Sequence, residues 1–378
     1  MNISGSPSWL DTLSRIKREE EDMKEFDYDL MTKEADLLLV NKVPTRSVGR
    51  QLMLTRNPSR VRLPACVLEP RSLLESYAAA FGRPELFTSI PQGTSCRDRM
   101  ERAAAFYLSQ LMCTRRTPVA LKPYNPSLGE LFLCQWPSLT SPQQTVTFLA
   151  EQVSHHPPVS AMYAECRAAG VSYVASIETI SGLGYKYSMP NALTVENRGE
   201  GRILLHQTGE EILCSFPSAE ASGLLSSEPR LELTGSSWLS CNTHGLRVEL
   251  EFSGLDTVTG RIVGRENSSE IILGELGGSW RGLVQVWEAG GERKVLLDMS
   301  GWKGPEVEAL VAPVAMQEDM ESRRQWRRLT RGFLHSPGEA DLEKRKVEKE
   351  ARCKEGEQYV PRFFTLDESD GVFFRHAL

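Results

Sequence analysis

The sequence predicts a mainly β protein with flanking helices, and three observations carry that prediction. From Gly129 to Trp302 the chain breaks into short runs in which apolar and polar residues alternate, parted by Gly, Asn and Pro. A period of two is the mark of strands with one buried face. Before Lys122 and after Ala315 the apolar spacing widens to three and four, the helical period. No segment recurs at a fixed interval, which argues against solenoids and propellers.

Taken in order, "WLDTLSRI" sets Trp9, Leu13 and Ile16 at i, i+4 and i+7 behind Ser8 as N-cap. A helix this short is not stable alone. It needs an apolar surface, its own protein's or a bilayer's, and reads as a lid. The acidic "KREEEDMKEFDYD" that follows reads as linker, so residues 1–61 are lid and linker and residues 62–378 one folded unit. "LEPRSLLESYAAAF", starting at Pro70, and "RDRMERAAAFYLSQLM" are predicted helices. The strands come next: "GELFLCQW", "TVTFLAEQV", "VSYVASIETI", "RILLHQ", "LRVELEFSG", "GRIVGRE", "EIILGELGGSW", "GLVQVWEA" and "KVLLDMSGW". So many antiparallel strands must close into a barrel or sandwich to hide their edges. "QEDMESRRQWRRLTRGF" and "EADLEKRKVEKEARCKEG" are charged C-terminal helices.

Composition narrows the class. With 40% apolar and 25% charged residues in 378, the chain has enough material for a substantial core. The formal charge of -6 and the lack of a long basic stripe argue against nucleic acid, the arginines around Trp326 being read as a solvated helix face. Eight scattered cysteines with no CxxC pair signal neither a zinc module nor a disulfide framework and suit a reducing cytoplasm. No signal peptide and no run of 18 apolar residues is present, so contact with a membrane is expected to be peripheral.

The chemistry concentrates in "EQVSHHPPVSA", residues 151–161. Pro157 biases His156 toward extended backbone, and two successive prolines remove two donors, so the strand is expected to end at His155 and His156. In a regular strand the two side chains face opposite ways, and only a kink or bulge lets both reach one ligand. The pair lacks zinc-site spacing and further ligands, and no HExxH or GxSxG is present, so no metal, no cofactor and no enzyme are predicted. Two structural histidines, or histidines that donate hydrogen bonds to a phosphate, remain open. "LKPYNPSLGELF" supplies Lys122 and Asn125 on a proline-stiffened turn, either solvated turn residues or a charge and an amide at the same mouth. Glu151 and Gln152 take no ligand role and anchor the strand.

"EQVSHHPP" and "KPYNPSLGELF", with "LPACVLEPRSLLESYAAAFGRPELF" and "ESRRQW", resemble the signatures of the oxysterol-binding protein family over roughly residues 62–365. The resemblance is to its lipid-binding domain in a short form, since 378 residues leave no room for a pleckstrin homology domain or ankyrin repeats. It implies a large near-closed antiparallel β-barrel around a lipid tunnel, an N-terminal lid and charged C-terminal helices. It implies too that His155, His156, Lys122 and Asn125 hold the phosphates of phosphatidylinositol 4-phosphate. A Lys, Glu, Arg series at i, i+4 and i+8 matches Lys344, Glu348 and Arg352 on the last helix, with Ala340 at a position where the family often has a small residue. A second register would put Glu339 and Val347 where Lys and Arg are expected. The alternative is a solvated, salt-bridged helix face.

The expected function is transfer of lipid between membranes, exchanging phosphatidylinositol 4-phosphate for a sterol or phosphatidylserine. A lipid sensor acting through a protein partner is the alternative. The 19–29 acidic tract resembles a motif for an endoplasmic reticulum receptor, with Asp27 in place of its second aromatic.

Overall fold

A computed structural model describes residues 27–29, 31–33, 35, 65, 68–114, 121–139, 141, 143–186, 189–222, 230–267, 269–288, 291–354, 359–366 and 374–376; for residues 183–186, 189–191, 193, 337, 351–354 and 374–376 it describes backbone alone. Trp9, Leu13 and Ile16 lie outside these residues. The first described strand, β1 (Leu68–Ser72), contains Pro70, which was expected to open a helix. It pairs in parallel with β2 (Lys122–Tyr124). The helix starts later, as α1 (Leu73–Ala78), with the Ser72 hydroxyl accepting from the Leu74 N–H at 3.4 Å. Proline is tolerated in so short a ribbon because no central ladder needs its missing donor.

Two further helices follow, α2 (Pro84–Thr88), with proline at its first turn, and α3 (Cys96–Cys113), capped by Ser95. The large sheet begins with β3 (Leu131–Trp136), β4 (Val146–His155), β5 (Pro158–Cys166), β6 (Val171–Lys186) and β7 (Met189–Leu205). It continues through β8 (Glu210–Cys214), β9 (Ser218–Ser222), β10 (Arg230–Cys241), β11 (Leu246–Ser253), β12 (Thr257–Glu266), β13 (Ser269–Ser279), β14 (Leu283–Glu288) and β15 (Arg293–Asp298). Neighbours in sequence are almost all neighbours in space, and every pairing is antiparallel. The long strands β7 and β10 bridge the shorter ones, meeting β8 toward one end and β9 toward the other.

One apolar face of the sheet carries Phe148, Tyr173, Leu250, Ile262 and Val286 in a single cluster with Phe81, Phe87, Phe106 and Leu108 from the helices. The helix α3 is therefore buried over most of its length, which explains Ala103, Ala104 and Ala105: small side chains let a helix approach a sheet closely. The end strands β3 and β15 do not pair, so the sheet is near-closed. The chain beyond β15 crosses to β3, where Gln135 and Leu310 exchange backbone hydrogen bonds of 3.0 and 2.8 Å and the Leu131 N–H reaches the Met320 carbonyl at 2.9 Å. The free edge of β3 is covered in this way.

The helices α4 (Ser322–His335) and α5 (Pro337–Lys354) complete the frame, followed by the short pair β16 (Phe364–Leu366) and β17 (Phe374–His376). A Cβ on Gly332 would lie 2.9 Å from the Ala340 Cα, so glycine and alanine permit the close crossing of α4 and α5. Those helices share a second apolar cluster with Leu68, Tyr124, Trp326, Val347, Ala35 and Ala65. Tyr28 is buried, donates to the Pro70 carbonyl at 3.3 Å and lies under Arg323, whose guanidinium also reaches Asp29 at 3.0 Å and Glu75 at 2.8 Å. Tyr28 and Asp29, within the acidic tract, are thus helical and packed against β1 and α4.

One carboxylate joins these pieces. Glu130 is fully buried and accepts from the Ser72 hydroxyl, the Ser322 hydroxyl (2.7 Å), the Trp326 Nε1–H (2.9 Å) and the Ser127 N–H (3.0 Å). Burial pushes its carboxyl pKa up, and the donors oppose that shift only in part. Glu130→Ala leaves the buried Ser127 N–H and Trp326 Nε1–H without their acceptor. It is expected to lower stability by about 2–4 kcal/mol, read as a reduced urea midpoint at unchanged m-value. A midpoint equal to wild type would show that the network holds nothing together.

Candidate functional site

The two histidines lie where β4 turns into β5. His155 is the last residue of β4 and pairs with Pro158, leaving His156 and Pro157 as a two-residue turn with a cis His156–Pro157 bond. The expected irregularity is present: the register shifts between Gln152 and Ser154. The Gln152 amide holds this bulge from both sides, donating to the Ser154 carbonyl at 2.8 Å and accepting from the Ser160 hydroxyl at 2.6 Å. With the alternation broken, the imidazoles come together edge to face, ring centroids 5.0 Å apart at 77°. His155 is half-buried and His156 exposed, as befits a rim.

The loop carrying Lys122 and Asn125 is tied to the same strand. The Gly129 N–H donates to the Gln152 carbonyl and the Gln152 N–H to the Glu130 carbonyl, both at 2.9 Å. Gly129 has φ +77°, and a Cβ there would meet the Tyr359 ring at 2.8 Å, so the position needs glycine twice over. Tyr124 is the anchor: buried, stacked on Trp326 at 4.8 Å, its hydroxyl 3.1 Å from that of Thr330. Lys122 and Asn125, on either side of it, are exposed.

Lys122 faces α5. Its ammonium is reached by water yet ringed by protein, and lost hydration lowers its pKa. The Lys344 charge lowers it further, and Glu348 works in the opposite direction. Lys344 and Glu348, one turn apart on α5, pair at 3.4 Å. In the Lys344 frame of this helix, Lys344 and Glu348 carry the charges that act on Lys122, whereas Val347 is buried in the apolar cluster of α4 and α5. The backbone of Arg352 continues the same stripe within α5, and its side chain lies outside the description. Lys122, Lys344 and Glu348 are therefore brought together, as are the two histidines, and the Gly129–Gln152 ladder links the groups.

Sequence reasoning passed over the residues that hold this arrangement. Glu151 is fully buried and accepts from the Tyr359 hydroxyl (2.5 Å), the Arg362 N–H (2.7 Å) and the Phe363 N–H (3.0 Å), clamping the segment after α5 against β4. Its anchoring role was expected; the partner was not. The signal available for both Glu130 and Glu151 was a carboxylate inside an otherwise apolar strand, which demands donors from elsewhere.

Comparison with known proteins follows the same outline. Residues 50–333 match the family model described as oxysterol-binding protein, a span that includes Lys122, Asn125, His155 and His156 and stops short of Lys344. Oxysterol-binding protein-related protein 9 of Xenopus tropicalis is 34% identical over 304 residues, 74% of this chain and 40% of the relative. Oxysterol-binding protein-related protein 11 of Homo sapiens is 31% identical over 373 residues, 87% of this chain and 48% of the relative. The chain thus spans less than half the length of these relatives. Among solved structures, the Osh1 ORD domain in complex with cholesterol superposes with a TM-score of 0.69 at 19% identity, covering 88% of this chain and 87% of that one. The Osh3 ORD in complex with PI(4)P from Saccharomyces cerevisiae gives 0.63 at 19% identity, covering 85% and 87%.

The electrostatics of the recess can be read directly. Lys344→Ala removes a like charge and leaves Glu348 facing Lys122, so the Lys122 pKa is expected to rise toward the ordinary lysine value. NMR titration of 13C-labelled lysine side chains measures it; an unchanged Lys122 would mean that the two ammonium groups do not share a recess.

Proposed function

The chain belongs to the oxysterol-binding protein family, and from that premise we propose that it binds membrane lipids and carries them between membranes, exchanging phosphatidylinositol 4-phosphate for a sterol or phosphatidylserine. The observation that carries the reading is the approach of Lys122 to Lys344 beside a bulged strand that ends in two histidines. Two ammonium groups held within repulsive range make an anion welcome, and the imidazoles add donors suited to phosphate oxygens.

In this reading Lys122, Asn125, His155, His156 and Lys344 hold the phosphorylated headgroup, Glu348 keeps Lys344 in place, and Arg352 extends the stripe. Hydrocarbon burial supplies most of the affinity at about 0.8 kcal/mol per methylene. Each charge-assisted hydrogen bond adds about 1.5–3 kcal/mol and discriminates among headgroups. The helix of Trp9, Leu13 and Ile16 enters as a lid that covers a loaded tunnel and offers an apolar face to a bilayer when open. The protein then works in the cytoplasm with transient peripheral membrane contact.

His155→Ala with His156→Ala is expected to reduce extraction of phosphatidylinositol 4-phosphate from liposomes at least tenfold while leaving extraction of the second lipid near wild type. Wild-type extraction by the double variant would overturn the headgroup assignment. Donor-to-acceptor liposomes holding sterol on one side and phosphatidylserine in a parallel set name the cargo, and binding without net transfer would favour the sensor.

A further inference from the structure

Far from the recess, four residues of metal-binding type converge where the start of α3 meets the end of β10. Cys96 opens α3, Glu210 opens β8, Cys241 closes β10, and His244 sits on the helical turn Asn242–His244, which is closed by Gly245 at φ 61°. The ligand atoms of Cys96, Glu210 and His244 all lie within 4.8 Å of one another. The Cys241 thiol lies next to that of Cys96. Cys241 and His244 have the i, i+3 spacing of a metal knuckle, while Cys96 and Glu210 arrive from distant parts of the chain, so no contiguous motif announces the set.

We propose that Cys96, His244 and Glu210 form a site for a divalent transition ion of the zinc type, with the Cys241 thiol beside Cys96. A thiol, an imidazole and a carboxylate match that ion's preferences, and ligand atoms within 4.8 Å of one another suit a small coordination sphere. Glu210 is held for the purpose: Arg99 donates to both its oxygens at 2.5 and 2.6 Å, and the Thr208 hydroxyl donates at 2.9 Å. The His244 Nε2 lies 2.7 Å from Glu210 Oε1, so its ring already faces the cluster.

The bound ion would staple the start of α3 to the β10–β11 turn.

The test is a cobalt(II) titration of the full chain, stripped with chelator and kept reduced by a phosphine. The expected result is one equivalent bound with a near-ultraviolet thiolate-to-cobalt band that zinc(II) displaces. The band is lost in Cys96→Ser, binding is weakened at least tenfold in His244→Ala, and Cys113→Ser is unchanged. His244 sits on an exposed turn, so its variant keeps the fold, and zinc should raise the melting temperature of wild type but not of that variant. A missing thiolate band, or one that persists in Cys96→Ser, overturns the proposal.

Discussion

The buried carboxylate of Glu130 is the constraint on which the rest of the frame depends. An ion in an apolar interior is tolerated only when several donors converge on it. Its donors come from the α1 cap, the first turn of α4, the indole of Trp326 and the loop before β3. Satisfying one group therefore sets the mutual position of three elements distant in sequence. Lys122 and Asn125 ride on that loop, and Lys344 rides on the helix that α4 positions through the Gly332–Ala340 contact.

A second carboxylate does the same for the other half of the recess. Glu151 draws the Tyr359–Phe363 segment onto β4 one residue before Gln152, whose side chain holds the bulge. Leu131 pairs with Glu151 and the Glu130 carbonyl accepts from the Gln152 N–H, so the two carboxylates leave the β3–β4 ladder on opposite faces. Rigid parts thus surround Lys122 and Lys344, so the relative positions of their charges are fixed by the frame.

How the frame is built explains what could be read in advance. The strands from β11 to β15 were legible because each has one apolar and one polar face, as in "LRVELEFSG". The strands β5, β8, β9 and β10 were not. "PVSAMYAEC" is buried on both faces, and "SAEAS" has too little apolar contrast to alternate. "LEPRS" misled because proline before an apolar run is an ordinary helix start, while its pairing with β2 is non-local.

The sequence by itself determined the two local facts on which the site rests. Successive prolines end β4 at His155 and His156, and a stiffened, glycine-relaxed turn carries Lys122 and Asn125; both follow from backbone geometry that proline and glycine impose on their neighbours. Only the tertiary structure decided which helical face joins them. Lys344 and Val347 lie on one amphipathic helix, and a charge pattern cannot say which is turned to the recess until Gly332, Ala340 and Tyr124 pack. It decided likewise that Tyr28 belongs to the domain and that Cys96, Glu210 and His244 meet. Such contacts depend on many distant residues packing at once, and no local propensity encodes them.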